Sequence, residues 1–420
     1  MTTEGPTHIA APRRNLISRI LVAGCSVILA LGLTEVAFRL LWMKRFTIPA
    51  GIEDAHFHHR LKPSTTYHYY SSEFDVHVRT NRLGLRGPDP AVPKPPGFIR
   101  ILMLGDSFTF GFPVKDEETF CSLIERGLRE RGYPVEVVNG AVSGYSPTLE
   151  YILLRDELLA LEPDLVILWY DRGDLQEDYW FQRNLIYDAA GNIVRADPRY
   201  RDGRFDYWEW AKNHSALAKY LDVKVLRTVD RIRVLGLGGY LGVILRGERA
   251  KVAVARVKAK QQVEDLPAYD RFFLIRDTTT PEMLDRYWPM SERYILMIRD
   301  LLTQHGIPFI FGTYPYGVTV GPTQWAKGRV FWGFEEGKMY NPHVKALFQR
   351  FTEAEGIPWL RTRPSFQAAA ATEKLYYDWD GHMTPAGHRV LAQSVIQNPQ
   401  LLGLLDHLSQ QAGLKDVNGS

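Results

Sequence analysis

Hydrophobic residues fall into distinct arrangements along this chain. Residues 16–43 are apolar almost without a break, and from residue 99 onward short apolar runs alternate with stretches whose apolar positions recur at helical spacing. The short runs predict strands at 99–104, 135–139, 164–170, 307–313 and 357–360. The stretches between them predict helices at 117–131, 147–160, 286–304, 341–355 and 384–396. Buried β-runs alternating with helices predict an α/β fold, a doubly wound parallel sheet covered on both faces. Its active site would lie beyond the carboxyl ends of the strands. Between 176 and 285 the alternation stops for about 110 residues, too long for a bare loop, and an inserted helical subdomain is expected. The proline run at 88–97 marks a boundary, with a linker and β-rich collar at 44–98 before it, the collar resting on the Tyr, Ser and Thr of 64–80. The α/β domain then occupies 99–175 and 286–405, and 406–420 is a C-terminal tail.

The apolar segment is expected to be a membrane anchor following a short cytoplasmic tail, 1–15. Its uncharged stretch, Ile20 to Thr34, is shorter than the roughly 20 residues a span needs, but extension to Met43 gives about 42 Å of helix. That extension takes in Glu35 and Arg39, spaced to neutralise each other on one face. Arg19 can snorkel at one end and Trp42 suits the interfacial belt at the other. No small-x-small cleavage site follows the apolar core. Val22-Ala23-Gly24-Cys25 resembles a lipoprotein box, but apolar sequence continues beyond Cys25, so an uncleaved single-pass anchor is the reading. Charge does not orient it, since Arg13, Arg14 and Arg19 on one flank balance Arg39, Lys44 and Arg45 on the other.

Composition excludes more than it assigns. The 420 residues are 45% hydrophobic and 24% charged, as in an ordinary globular protein, with a net charge of +3. No basic tail, P-loop or dinucleotide fingerprint is present, so no nucleic-acid partner is expected. Two cysteines make no disulfide framework, Cys25 lying in the anchor and Cys121 in a predicted helix. No histidine pair has metal-binding spacing in a helix, and His56, His58 and His59 read as solvated linker; neither metal nor cofactor is expected. Residues 224–260 hold ten Lys/Arg against Asp230 and Glu248, around an apolar, glycine-rich 235–245. That composition suits either solvated helices about a turn or a segment lying on an anionic membrane.

The chemistry-bearing residues sit at the predicted sheet edge. Gly105-Asp106-Ser107 ends the first strand, and Asp380-Gly-His382 lies far downstream. A serine hydroxyl attacks only with a positioned base, which His382 can provide, while Asp380 can hold the imidazole tautomer. Asp378 is the competing orienter, and His388 in the following helix reads as structural. Gly144 and the stretch Asp171–Asp174 also follow predicted strands. Asp106, Tyr314 and Tyr316 are candidate substrate contacts, with Trp325 and Arg329 similarly placed.

Together the blocks V-R-T-N-R-L-G-L-R-G (78–87), L-G-D-S-F-T-F-G (104–111), V-V-N-G-A-V-S-G-Y-S (137–146), P-D-L-V-I-L-W-Y (163–170) and D-G-H-M-T-P-A-G-H (380–388) resemble the GDSL/SGNH hydrolases, and more narrowly their bacterial branch with one amino-terminal anchor. The resemblance implies a flavodoxin-like sandwich and ester hydrolysis or acyl transfer without a cofactor. It implies oxyanion donors from the Ser107 backbone, from Gly144 (or Gly140), and from an asparagine whose place Gly173 takes here. It also implies a cytoplasmic amino terminus and a catalytic domain outside the inner membrane, facing an acylated carbohydrate or lipid of the envelope. The function expected is a membrane-anchored serine esterase or O-acyltransferase, the alternative being a non-catalytic glycan-binding relative.

Overall fold

The computed structural model describes residues 14–41, 51–226, 229, 270–411 and 413. The chain divides into two compact units, Met1–Thr47 with Trp208–Val229, and Ile48–Tyr207 with Asp230–Ser420.

The smaller unit is organised by one long helix, α1 (Arg14–Leu41). Its stretch Ser18–Leu40 spans 23 residues at a mean hydropathy of 2.2, with none of it buried. Glu35 is not left to Arg39 alone. Its carboxylate accepts from the Arg39 Nε at 2.7 Å and also from Ser215 Oγ and the N–H groups of Ala216 and Leu217 at 2.8–2.9 Å. It therefore satisfies the open first turn of the short helix Ala216–Tyr220.

In the larger unit, β1 (Ile99–Gly105), β2 (Val135–Asn139), β3 (Leu165–Tyr170), β4 (Phe309–Thr313) and β5 (Trp359–Arg361) form one parallel sheet in the order β2-β1-β3-β4-β5. This is the doubly wound order, with its switch point between β1 and β3. Side-chain alternation along β1 builds two cores. Leu102 and Leu104 pack on the face covered by α3 (Pro147–Asp156) and α5 (Pro289–Gln304). Ile99, Ile101 and Met103 pack on the face covered by α2 (Phe120–Glu130) and α6 (Pro385–Ile396). Helix α4 (Asp174–Phe181) starts just beyond β3.

All five strands and the helices around them lie close to their predicted places. The predicted helix 286–304 is two, Pro281–Tyr287 and α5, with Trp288 between them. The helix Pro399–Gln411 carries the chain into the expected tail at 406–420; Leu401 and Leu405 ahead of the tail and Ser409 within it are buried. The insertion does not begin as helix alone. Its described part opens with α4, the antiparallel pair Leu185–Tyr187/Ile193–Ala196 and a ribbon at Tyr200–Arg201/Arg204–Phe205 before the helix Tyr207–His214. Apart from 224–226 and 229, the basic segment 224–260 lies outside the described residues.

The collar holds the antiparallel pairs Ile52–Asp54/His58–Arg60 and Thr66–Tyr70/Asp75–Arg79. Of the histidines expected to be solvated, His56 stays partly exposed beside Asp156, but His58 and His59 are packed. The His59 ring packs edge-on against Tyr145 at 5.0 Å, and burial, then the charge of His59, pushes His58 down to about 3. Arg86, buried, donates to the carbonyls of Phe110 and Gly111 at 2.9 and 2.7 Å and pairs with Asp116, tying the collar to the turn after Ser107. Both cysteines are free thiols, Cys25 exposed and Cys121 buried.

Candidate active site

The chain must turn sharply as β1 ends. Gly105 has φ +153°, and a Cβ there would overlap the Thr109 side chain. Asp106 then caps the short helix Ser107–Phe110, its carboxylate accepting the Phe108 N–H at 2.9 Å. This strand–turn–helix holds Ser107 at the carboxyl edge of the sheet. On the other side, a turn leads into α6, where Thr384 caps the first turn and places His382 just before the helix.

The three groups meet. Ser107 Oγ lies 2.8 Å from His382 Nε2, and His382 Nδ1 lies 2.5 Å from Asp380 Oδ1. The Asp380 carboxylate also accepts the His382 backbone N–H at 3.2 Å. Burial works against the charged Asp380, but the charge and hydrogen bonds of His382 hold it below the usual carboxylate value. Asp378 is not the orienter: its side chain pairs with Lys374, and its carbonyl accepts from Lys327 and Gly328. His388 is buried in α6, where its Nδ1 accepts the Phe120 N–H, and burial pushes it down to about 3.

Backbone donors differ in availability. Gly140 gives its N–H to Met103 O, and Gly173 gives its N–H to Asp171 Oδ2 at 2.9 Å. Among the described residues the N–H groups of Ser107 and Gly144 donate to nothing. Gly144 has φ +81° and lies beside the His59 ring.

Asp106, a candidate substrate contact in the sequence, is a buried residue. Its Oδ1 accepts the Tyr314 hydroxyl at 2.5 Å, and burial, then the charge of Asp171, pushes the carboxyl up to about 6. Tyr314 and Tyr316 line a cavity of about 630 Å³ beyond β4 and β5. Trp359, Arg361, Lys345 and Arg363 line it too, and no acid does. Trp325 and Arg329 are core residues, with the Arg329 guanidinium on the carbonyls of Pro322 and Lys338.

Behind the serine lies a charged interior that sequence reasoning missed. Asp106, Asp171 and Asp174 bring carboxylate oxygens within 4.8 Å of one another, all buried. The Arg172 guanidinium grips both oxygens of Asp171 at 2.6–2.8 Å and stacks 3.3 Å over the Tyr316 ring. Burial drives Asp174 and Glu150 well above the usual carboxylate range and Glu177 up to about 8. The countercharge seen in this cluster is the Arg172 guanidinium on Asp171. Asp174, Glu177 and Asp178 recur at helical spacing after a strand, a signal that was legible. A second residue left no such signal. Glu73, in the turn of the collar hairpin, accepts the N–H groups of Asp378, Trp379 and Asp380 at 2.6–3.2 Å.

A doubly wound sheet with Ser, His and Asp in hydrogen-bonded sequence at its switch point is the architecture of a serine hydrolase. The model of the GDSL-like lipase/acylhydrolase family matches residues 103–390, and the chain belongs to that family. It is similar to an arylesterase of Vibrio mimicus, 28% identical over 132 residues, which cover 27% of this chain and 66% of that relative's length. Among solved structures it is similar to an acetyl xylan esterase (13% identity, TM-score 0.34, 70% of this chain and 97% of that one). It is also similar to a catalytic mutant of the acetylxylan esterase Axe2 from Geobacillus stearothermophilus (12%, 0.34, 77% and 97%). At these TM-scores the likeness carries no conclusion about fold or substrate.

Proposed function

We propose that this protein is a membrane-anchored serine esterase that works through an acyl-enzyme. The reading is carried by the contact of Ser107 Oγ with His382 Nε2 at 2.8 Å, backed by Asp380 on Nδ1. His382 takes the serine proton as Oγ bonds to the ester carbonyl carbon, and the carbonyl π pair moves onto oxygen. The N–H groups of Ser107 and Gly144 receive that oxyanion. The C–O bond to the leaving alcohol then breaks, and the alcohol departs with the proton from Nε2. Water, activated by the same imidazole, releases the acid in hydrolysis; a sugar hydroxyl in its place gives O-acyl transfer.

The cavity lined by Tyr314 and Tyr316 has aromatic and cationic walls and is not lined by Ser107 or His382, so it suits a part of the substrate remote from the ester. Helix α1 supports the anchor, being long, apolar and unburied, with its one acid taken up by the helix cap at Ala216–Leu217. An anchor of this kind favours acyl groups of envelope glycans or lipids outside the cytoplasmic membrane. The test is hydrolysis of a short-chain nitrophenyl ester by the full chain in detergent. Ser107→Ala and His382→Ala should each remove nearly all turnover, and the double variant should lose no more than either. Wild-type activity in Ser107→Ala would overturn the reading.

A further inference from the structure

Two backbone N–H groups are a sparse cradle for an oxyanion, and the position where α4 begins adds none. Gly173 has no side chain, and its N–H is held by Asp171. The space in front of it is not empty. A Cβ on Gly173 would stand 3.8 Å from Nη2 of Arg271, which reaches back from the far end of the insertion. Among the described residues that guanidinium has no ion pair and no hydrogen bond, unlike Arg172 beside it. Its charge bears on Asp106, Asp171 and Glu177 around the serine and on Asp380 behind His382. An unpaired arginine with five N–H donors, set among the residues of a catalytic centre, is built to receive negative charge.

We infer that Arg271 is a catalytic residue, a side-chain donor to the oxyanion formed when Ser107 attacks the ester. The inference rests on the esterase reading above. Arg271 is exposed as a whole, but its guanidinium is partly desolvated, which weakens the charged form; Tyr316 and the neighbouring acids more than restore it, and a guanidinium stays a cation throughout the cycle. The acids also explain why it does not collapse onto one partner. Asp171 is already gripped by Arg172, and burial holds Glu177 and Asp106 towards their neutral forms. A side chain at 173 would press on Asp171 Oδ2, 3.0 Å from the Cβ, and stand in ordinary contact with the guanidinium at 3.8 Å, so the two compete for the same space. As the carbonyl oxygen gains charge, the guanidinium gains its first full partner, so the interaction strengthens in the transition state and not in the ground state.

The experiment is steady-state hydrolysis of a nitrophenyl acetate by the full chain in detergent, for wild type, Arg271→Ala, Arg271→Lys and the double variant Arg271→Ala with Gly173→Asn. Loss of one oxyanion donor costs roughly 10²–10³ in kcat. Arg271→Ala should fall by that much in kcat with little change in KM, and Arg271→Lys should retain part. Millimolar guanidinium should rescue Arg271→Ala and leave wild type unaffected, a readout that a structural role would not produce. Adding Gly173→Asn should restore part of the loss in the alanine variant, where the guanidinium no longer crowds the new side chain. Should Arg271→Ala fold poorly, the lysine variant and its own response to guanidinium decide the matter. Wild-type kcat in Arg271→Ala, or a loss that neither guanidinium nor Gly173→Asn repairs, overturns the inference while leaving the esterase reading intact. If wild type neither hydrolyses esters nor labels with a fluorophosphonate at Ser107, the reading and the inference fall together.

Discussion

Glu73 is the residue through which the collar should govern catalysis without touching substrate. It accepts Asp378 N at 2.6 Å, Trp379 N at 3.0 and 3.2 Å, and Asp380 N at 3.1 Å, the backbone that carries the acid behind His382. Phe74 beside it packs edge-on against Tyr377 at 5.4 Å and Phe112 at 5.6 Å, so the turn itself is held. Hydrogen bonds to a charged acceptor contribute about 1.5–3 kcal/mol each when sheltered. Glu73 is half-buried and water can replace it, which lowers each to about 0.7 kcal/mol and the three donors together to about 2 kcal/mol. Spread over the placement of Asp380 and His382, that corresponds to a roughly 30-fold loss of the productive arrangement. Glu73→Ala should therefore lower kcat on a short nitrophenyl ester by about 10- to 100-fold with KM little changed. Glu73→Gln keeps an oxygen acceptor and should recover most of the loss. The assay is steady-state kinetics beside a thermal melt on the same preparations. Equal kcat in Glu73→Ala and wild type, or a glutamine variant as poor as alanine, would refute the positioning role. So would a loss explained entirely by unfolded protein.

Asp380→Asn leaves His382 without its carboxylate partner and should cost roughly 10³-fold or more in kcat, as loss of the orienting acid does in comparable triads; an effect under tenfold would return the role to another group. Glu177 is pushed up to about 8 from 4.5 by burial, so the native state holds its proton longer than the unfolded chain and loses stability as pH rises from 4.5 to 8. Glu177→Gln should accordingly raise the melting temperature at pH 8 and leave it unchanged near pH 4, and a gain that is the same at both values contradicts the assignment. In the smaller unit, Glu35→Leu should speed amide exchange at Ala216 and Leu217 by about tenfold, the worth of a lost helix cap; unchanged exchange there would show the cap to be idle.

The sheet was legible because β3 is a continuous apolar run and β1 and β4 are nearly so, β1 broken by Arg100 and β4 closed by Thr313, while Glu136 interrupts β2 and β5 has only three residues. Ser107 stood out as a candidate because it follows the run of β1, and Asp380 and His382 because their block stands just ahead of α6. What remained hidden depends on contacts between distant segments. Glu73 lies 305 residues from the N–H of Asp378 that it accepts, and no local pattern announces a carboxylate that serves another loop's backbone. His58 and His59 look solvated in a polar stretch, and only their packing on Phe181 and Tyr145 shows otherwise. Asp106 looked like a substrate contact because it adjoins the serine, whereas a helix cap turns its carboxylate inward to Tyr314. The strands within 176–285 are only two to four residues long, below the length at which alternation can be read.

The central claim is that Ser107 is a nucleophile made reactive by His382, and active-site phosphonylation tests it most directly. The full chain in detergent is treated with a fluorophosphonate and the adduct is located by mass spectrometry. The account predicts one adduct per chain on Ser107, none in Ser107→Ala, and labelling slowed by orders of magnitude in His382→Ala. Labelling that persists in Ser107→Ala, or that proceeds in His382→Ala at the wild-type rate, would contradict it.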